Sequence, residues 1–387
     1  QAEPGEVGGG AFVAISDGGG DIARSGLPDA RIAVPDWSLT PGGFQAALET
    51  TAQLDFGVAR ELDIASKGRL TSDRGVLTYA TTDCVSFSAD RLELDENDAE
   101  ALSGRLCPGA APLLSLSNGA WVARGRLADV RTSLPFLALD VDQGAGDLVV
   151  NGRASGLSLV ADVQDARVTD ATTPIRFRTL QARGRATLED DRWTGVFALL
   201  RAQTPVADLS LFSDSRTGVG GVTFDTGNLV FSETGLQPDD LTPLGADLVR
   251  SPVTGSVRFS GRSDWRADQP DQGTRSGRLE IPSLDFTGPV GPIRGLAGTI
   301  DFTNLAPLTT APDQTLSVAA VSDIEALTDV SLTFSLDKAA LTFSGAEIQA
   351  AGGTIRLEPF ALPLDPSQAY DGVIVLDRVQ LGDLIAA

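Results

Sequence analysis

Ser335-Leu-Asp-Lys338 has the Ser-x-x-Lys spacing of penicillin-interacting enzymes, where a lysine sits beside a serine nucleophile. That chemistry needs a helical turn to bring both side chains onto one face. Here the tetrapeptide ends an alternating run, VSLTFSLD (330–337), so a strand end separates what the reaction must join. DENDAE (95–100) and DVDQGAGD (140–147) are dense in the oxygen donors that calcium takes, but neither fits the 12-residue calcium loop and solvated turns account for both. Carboxylate pairs suited to glycoside hydrolysis can be drawn almost anywhere in so acidic a chain. A polysaccharide enzyme would also carry aromatic platforms, whereas Trp37, Trp121, Trp193 and Trp265 are well separated and there are two tyrosines. GVGGV (218–222) lies between strands and reads as a hairpin turn, not as a phosphate cradle before a helix.

The chain has no histidine and no Cys-x-x-Cys, which argues against zinc. No cofactor, metal or enzymatic activity is expected. A disulfide between Cys84 and Cys107 would close a loop of 24 residues (84 through 107). On the chain-entropy model it is worth about 3 kcal/mol, and it would place the chain in an oxidising compartment. Two buried thiols in a reducing compartment is the other reading.

Thirty basic against 52 acidic residues give a net charge of −22, which repels nucleic acid and anionic head groups at long range. Lys67 and Lys338 are the two lysines, and the arginines are scattered, which reads as codon bias and not as a basic patch. A length of 387 residues would ordinarily mean two or three globular domains. Methionine is absent, so the numbering is expected to start inside a longer or processed product, with QAEPGEVGGG as a linker or frayed edge. No apolar run approaches the roughly 18 residues that cross a bilayer.

The elements that must position any site are strands. Period-two alternation runs from residue 32 to residue 381 without a convincing linker. It is seen in TAQLDFGV (51–58), CVSFSADRLEL (84–94), DLVVNGRASGLSLVADV (147–163), PIRFRTL (174–180), GVTFDTGNLVF (221–231), GSVRFSG (255–261) and GRLEIPSLDF (277–286). In GTIDFTNLAPLTTAPDQTLSV (298–318), Ile300 and Phe302 share one face, as do Leu316 and Val318. VSLTFSLD and LTFSG (341–345) form a hairpin, and TIRLEPF (354–360) follows. About twenty strands fit in the chain, and stacked 4.8 Å apart they would make a sheet on the order of 90 Å long with one apolar face. GLQPDDLTPLGADLVRSP (235–252) differs: Leu241, Leu244 and Leu248 are at helical spacing, Pro238 is N1-like, and Pro243 limits the helix to one to three turns. LGDLIAA (381–387) reads as the cut-off start of another helix.

Gly298-Thr-Ile-x-Phe-x-x-Leu305-x-Pro307-Leu308-x-Thr310, followed by Gln314 and the Gly352-Gly353 step, resembles the C-terminal region of YdbH-like proteins, within the AsmA-like group of bacterial inter-membrane bridges. The resemblance is specific over 235–387 and one of style over 1–234, and the two segments are expected to form one continuous groove. This chain has Ala311-Pro312-Asp313-Gln314 where the family usually has Pro-Pro-Gly-Gln, and IEALTD where it has a glycine-bearing turn. The resemblance implies an all-β, elongated, twisted, open groove in the Gram-negative periplasm, anchored in the inner membrane by an upstream helix. It also implies phospholipid movement between the membranes and a small outer-membrane lipoprotein of the YnbE type that adds strands. The same region has carried a dicarboxylate-transport label, which fits poorly because no converging basic pocket is visible.

A sixteen-carbon tail needs about 12 kcal/mol of shelter from water, which a uniform apolar track supplies without a recognition pocket. The residues expected to line it are Leu279 and Ile281, Ile300 and Phe302, Leu316 and Val318. Further along they are Val330, Leu332, Phe334 and Leu336, then Leu341 and Phe343, then Ile355 and Leu357. An ordinary closed core would use the same residue types. A scaffold of the TamB kind, assisting envelope assembly by strand addition, is the second functional reading, and a closed β-helix adhesin the third.

Overall fold

Alternating side chains put every second residue on one face, and strands so patterned pair edge to edge. The computed structural model describes residues 7–15, 29–40, 42–56, 58–93, 98–153, 156–246, 249–269, 273–289, 291–321, 327–350, 352–365, 367–369 and 371–380. Among them antiparallel strand dominates and α-helix is confined to one four-residue turn, as the all-β expectation requires. The chain divides into two compact units. The first comprises Gln1–Thr173, Thr179–Gln203 and Ser210–Gly220, and the second Pro174–Arg178, Thr204–Leu209 and Gly221–Ala387.

The first unit begins with β1 (Val7–Ile15), β2 (Asp29–Thr40), β3 (Gly43–Phe56) and β4 (Ala59–Asp73). Then come β5 (Val76–Thr81), β6 (Val85–Leu92), β7 (Ala99–Cys107) and β8 (Leu114–Ser117). It continues through β9 (Ala120–Leu134), β10 (Leu139–Arg153), β11 (Gly156–Asp170), β12 (Leu180–Glu189) and β13 (Arg192–Arg201). Consecutive strands pair as a meander from β1 to β4 and again from β9 to β13. Between β4 and β9 each lane consists of two collinear strands. β5 and β6 share β4, β8 and β7 share β9, and β5–β8 and β6–β7 complete the ladder. The lanes lapse at residues 82–84 and 108–113, and there Cys84 and Cys107 are joined by a disulfide. Where backbone pairing is interrupted, a covalent tie holds the lanes together. Residues 7–10, read from sequence as part of a frayed edge, lie in β1, with Gly8 opposite Ser38 and Gly9 opposite Trp37. Backbone pairing needs no side chain, so glycine richness did not prevent it.

β14 (Thr204–Asp214) and β15 (Val219–Asp225) each contribute residues to both units. The second unit continues with β16 (Leu229–Phe231), α1 (Pro238–Leu241), β17 (Arg250–Arg266), β18 (Thr274–Gly288) and β19 (Gly291–Leu305). Next are β20 (Leu308–Thr310), β21 (Gln314–Val321), β22 (Leu327–Leu336) and β23 (Ala340–Ala350). The last are β24 (Gly353–Leu357), β25 (Phe360–Pro363) and β26 (Ile374–Asp377). β20 and β21 divide β19, β25 and β24 divide β23, and β26 pairs with β24. Pro282, which has no N–H to give the ladder, falls where the β18–β19 register shifts between Ile281 and Leu284. At the β20–β21 lapse the Gln314 side chain stands in for a strand: its Oε1 accepts from Asp301 N (2.7 Å) and its Nε2 donates to Pro312 O (3.0 Å).

The helical reading of 235–252 reduces to the single turn of α1, with Pro238 at its start and Asp239 and Asp240 in its first turn. Leu244 is exposed, and Leu248 lies outside the described residues, as does LGDLIAA. Gln237, just before α1, fixes the loop to β17. Its Oε1 accepts from Val253 N (2.7 Å), and its Nε2 donates to Val253 O (3.1 Å) and Ser232 O (2.6 Å). PIRFRTL is not a strand before Leu180. Its backbone groups go to the α1 loop instead: Arg178 N donates to Leu241 O (2.7 Å), and Thr242 Oγ1 donates to Arg176 O (2.6 Å). The alternation of Ile175 and Phe177 was real, but no neighbouring strand claims it.

Most apolar side chains on the described strands are half-buried, not closed over.

Candidate functional site

Residues directly opposite in an antiparallel ladder lie on the same face, so successive registers trace rows across a sheet. In the first unit one row crosses ten strands, starting Trp37–Ala46–Leu70–Tyr79–Leu114. It continues Ala123–Val150–Leu159–Leu188–Trp193. Every member is apolar or aromatic. A second row lies two residues along: Leu39–Phe44–Ser72–Leu77–Leu116–Trp121–Gly152–Leu157. Gly152 is required there, since a Cβ would stand 2.0 Å from Trp121 Cε2. The missing side chain lets the indole lie flat across the neighbouring strand.

The second unit repeats the design. Ile281–Gly298–Leu316–Leu332–Ala346–Leu357–Ile374 is one row across seven strands. Beside it run Phe259–Leu279–Ile300, Val318–Val330 and Ile348–Ile355–Leu376. Phe334–Phe343–Phe360 and Leu336–Leu341–Leu362 lie on the same side of that row as Phe259–Leu279–Ile300, with Val318–Val330 and Ile348–Ile355–Leu376 on the opposite side, and the Phe343 and Phe360 rings stack at 4.8 Å. Phe302 stands opposite Gly277 and meets Phe259 edge-on at 6.4 Å. A bulge at Ser344–Gly345 keeps Phe343 and Ala346 on the same side despite their odd spacing. Of these residues Ile281 and Phe334 are buried and most of the others are half-buried. The face can therefore still take a covering.

The opposite face is charged. Arg278 lies opposite Asp301 and binds it with two bonds (2.6 and 3.0 Å), and Arg258 binds Asp225 likewise (3.2 and 2.6 Å). Arg278 holds the Asp301 carboxyl below the usual range; Arg258, with help from Gly227 N, does the same to Asp225. In the first unit Lys67–Glu49 (3.1 Å) and Arg185–Asp162 (3.3 Å) are paired in the same way. In each unit one face of the strands is thus made for water and the other for hydrocarbon.

The family model described as intermembrane phospholipid transport protein YdbH matches residues 18–387. The chain belongs to the YdbH-like family. No curated protein and no solved structure matches it. Membership carries a role in lipid transport, and the match takes in residues 18–234, where the sequence resembled the family in style alone.

In this YdbH-like chain the fourteen residues expected to line a track all fall on paired strands of the second unit. Register brings Ile281, Leu316, Leu332 and Leu357 into one row. The corresponding rows of the first unit were not singled out from sequence, although TAQLDFGV and DLVVNGRASGLSLVADV carried the alternation that marks them. Ser335 is the next-to-last residue of β22 and Lys338 sits in the following turn. There Asp337 Oδ1 accepts from Ala339 N (2.7 Å) and Ala340 N (2.9 Å), which lowers its pKa. Residues 140–147 form part of β10, and 94–97 lie outside the described residues. Among the described residues no cluster of His, Cys, Asp and Glu is arranged for a metal ion, and no helix is long and apolar enough to cross a membrane.

Proposed function

We propose that each unit contributes a stretch of apolar track that shelters phospholipid acyl chains as they move between the inner and outer membranes. The observation that carries this is the in-register row from Ile281 to Ile374, half-open along most of its length and free of charge. Leucine, valine, isoleucine and phenylalanine hold a tail without trapping it, because hydrophobic shelter is non-directional. The head group rides in water at the seam. On this reading the chain works in the periplasm as part of a bridge tethered to the inner membrane through an upstream helix.

The exposed strand β26 supports a partner. Ile374 is 63% and Leu376 48% exposed, and β26 pairs with β24 alone among the described residues. Such an edge takes an added strand, which fits an outer-membrane lipoprotein of the YnbE type. It equally favours the second reading, a scaffold for envelope assembly by strand addition.

Native mass spectrometry of the purified chain separates the two. Co-purified phospholipid supports the track, and a bound peptide strand without lipid supports the scaffold. A chain that carries no lipid and takes none from vesicles refutes the track.

A further inference from the structure

The apolar face of the first unit carries a cluster of hydroxyls across β3, β4 and β5. Ser66 and Tyr79 point to the same side, and the Tyr79 hydroxyl lies 2.9 Å from Ser66 Oγ and donates to it. Gly68, between them on β4, makes this possible. A Cβ there would stand 2.7 Å from Tyr79 Cζ and 2.9 Å from Thr81 Cγ2, so the ring lies over the glycine with Thr81 alongside. Thr50 faces Ser66 across the ladder. Thr81 Oγ1 is buried and has no hydrogen-bond partner among the described residues. Thr81 ends β5, at the lapse closed by the Cys84–Cys107 disulfide.

We propose that Ser66, Tyr79 and Thr81 form a hydrogen-bonding station for an ester carbonyl of a diacyl glycerolipid. The proposal rests on the reading that this face holds acyl chains. The proton inventory carries it. Four hydroxyls, those of Thr50, Ser66, Tyr79 and Thr81, bring four protons, and the Tyr79–Ser66 bond uses one. Three donors remain among largely apolar side chains, the Thr81 hydroxyl beneath its neighbours, beside the row Leu70–Tyr79–Leu114. The cations nearest in sequence, Lys67 and Arg69, are on the other face, bound to Glu49 (3.1 Å) and Gln45 (3.2 Å). The station therefore suits a neutral acceptor better than a phosphate. An ester carbonyl is the neutral acceptor joined directly to the tail that the row would hold. It would bring the lipid to rest with its glycerol at the lapse and its chains on the row.

The test displaces a fluorescent-acyl phosphatidylethanolamine from the purified chain with dioctanoylphosphatidylcholine or with its dioctyl-ether analogue, which lacks the carbonyls. The ester should displace the probe at about fivefold to tenfold lower concentration, the yield of one or two net hydrogen bonds. Thr81→Val, matched in shape, and Ser66→Ala, each read separately, should bring that ratio toward one. Equal midpoints in the wild type, meaning that water serves these hydroxyls, overturn the station, as does a ratio unchanged in both variants. If the probe does not bind at all, the acyl-track reading fails and the station with it. Binding without ester preference fails the station alone.

Discussion

Leu332→Arg sets a guanidinium in the middle of the second unit's row, between Leu316 and Ala346 in the register. A tail lying along the row loses shelter for about one strand spacing on each side, or about 9.6 Å. An extended chain advances about 1.3 Å per bond, so about seven methylenes are uncovered, worth about 6 kcal/mol at 0.8 each. An arginine that bends its head toward the seam halves this to about 3 kcal/mol, about a hundredfold in affinity. The control is Ser331→Arg on the same strand. Its side chain points to the charged face, where Ser317 and Glu347 are its partners in register. Lipid-to-protein ratio by mass spectrometry and titration with a fluorescent-acyl lipid read both variants, with far-ultraviolet circular dichroism to verify the sheet. Leu332→Arg should lose lipid and Ser331→Arg should keep it. Equal binding by Leu332→Arg and wild type, or equal loss in both variants, would refute the assignment of the faces.

Gly152→Val drives a side chain into the Trp121 indole and should cost about 1–3 kcal/mol by overpacking, read as a lower urea midpoint with altered near-ultraviolet dichroism. Replacing Cys84 and Cys107 with serine removes the tie at the lane lapse and should cost about 3 kcal/mol on the chain-entropy model; wild type in reductant should then unfold at the variant's urea midpoint. The lowered carboxyls of Asp225 and Asp301 give stability that is present above about pH 4 and lost as pH falls through their folded values. Asp225→Asn with Asp301→Asn should therefore lower the urea midpoint modestly at pH 7, both pairs being half exposed and screened, with the gap closing as pH falls through the folded carboxyl values.

The amino-acid sequence by itself determined which side of each strand meets water. The alternation of VSLTFSLD, GRLEIPSLDF and TIRLEPF is local, and period two is a property of one strand's own geometry. It also carried the family, through Gly298 to Thr310 and the Gly352-Gly353 step. The pairing of the strands was not legible there. Which residue faces which depends on turn lengths and bulges summed along the chain, and a slip of one residue would turn a whole strand over. Only the folded structure therefore decided that Ile281 through Ile374 share one row, that Trp37 and Trp193 end another, and that Ser344–Gly345 bulge so that Phe343 stays with Ala346. It also decided that PIRFRTL spends its backbone on the α1 loop, and that Tyr79 reaches across Gly68 to Ser66 while Thr81 is left unmet. Such contacts join residues distant in sequence, and composition and spacing carry no record of them.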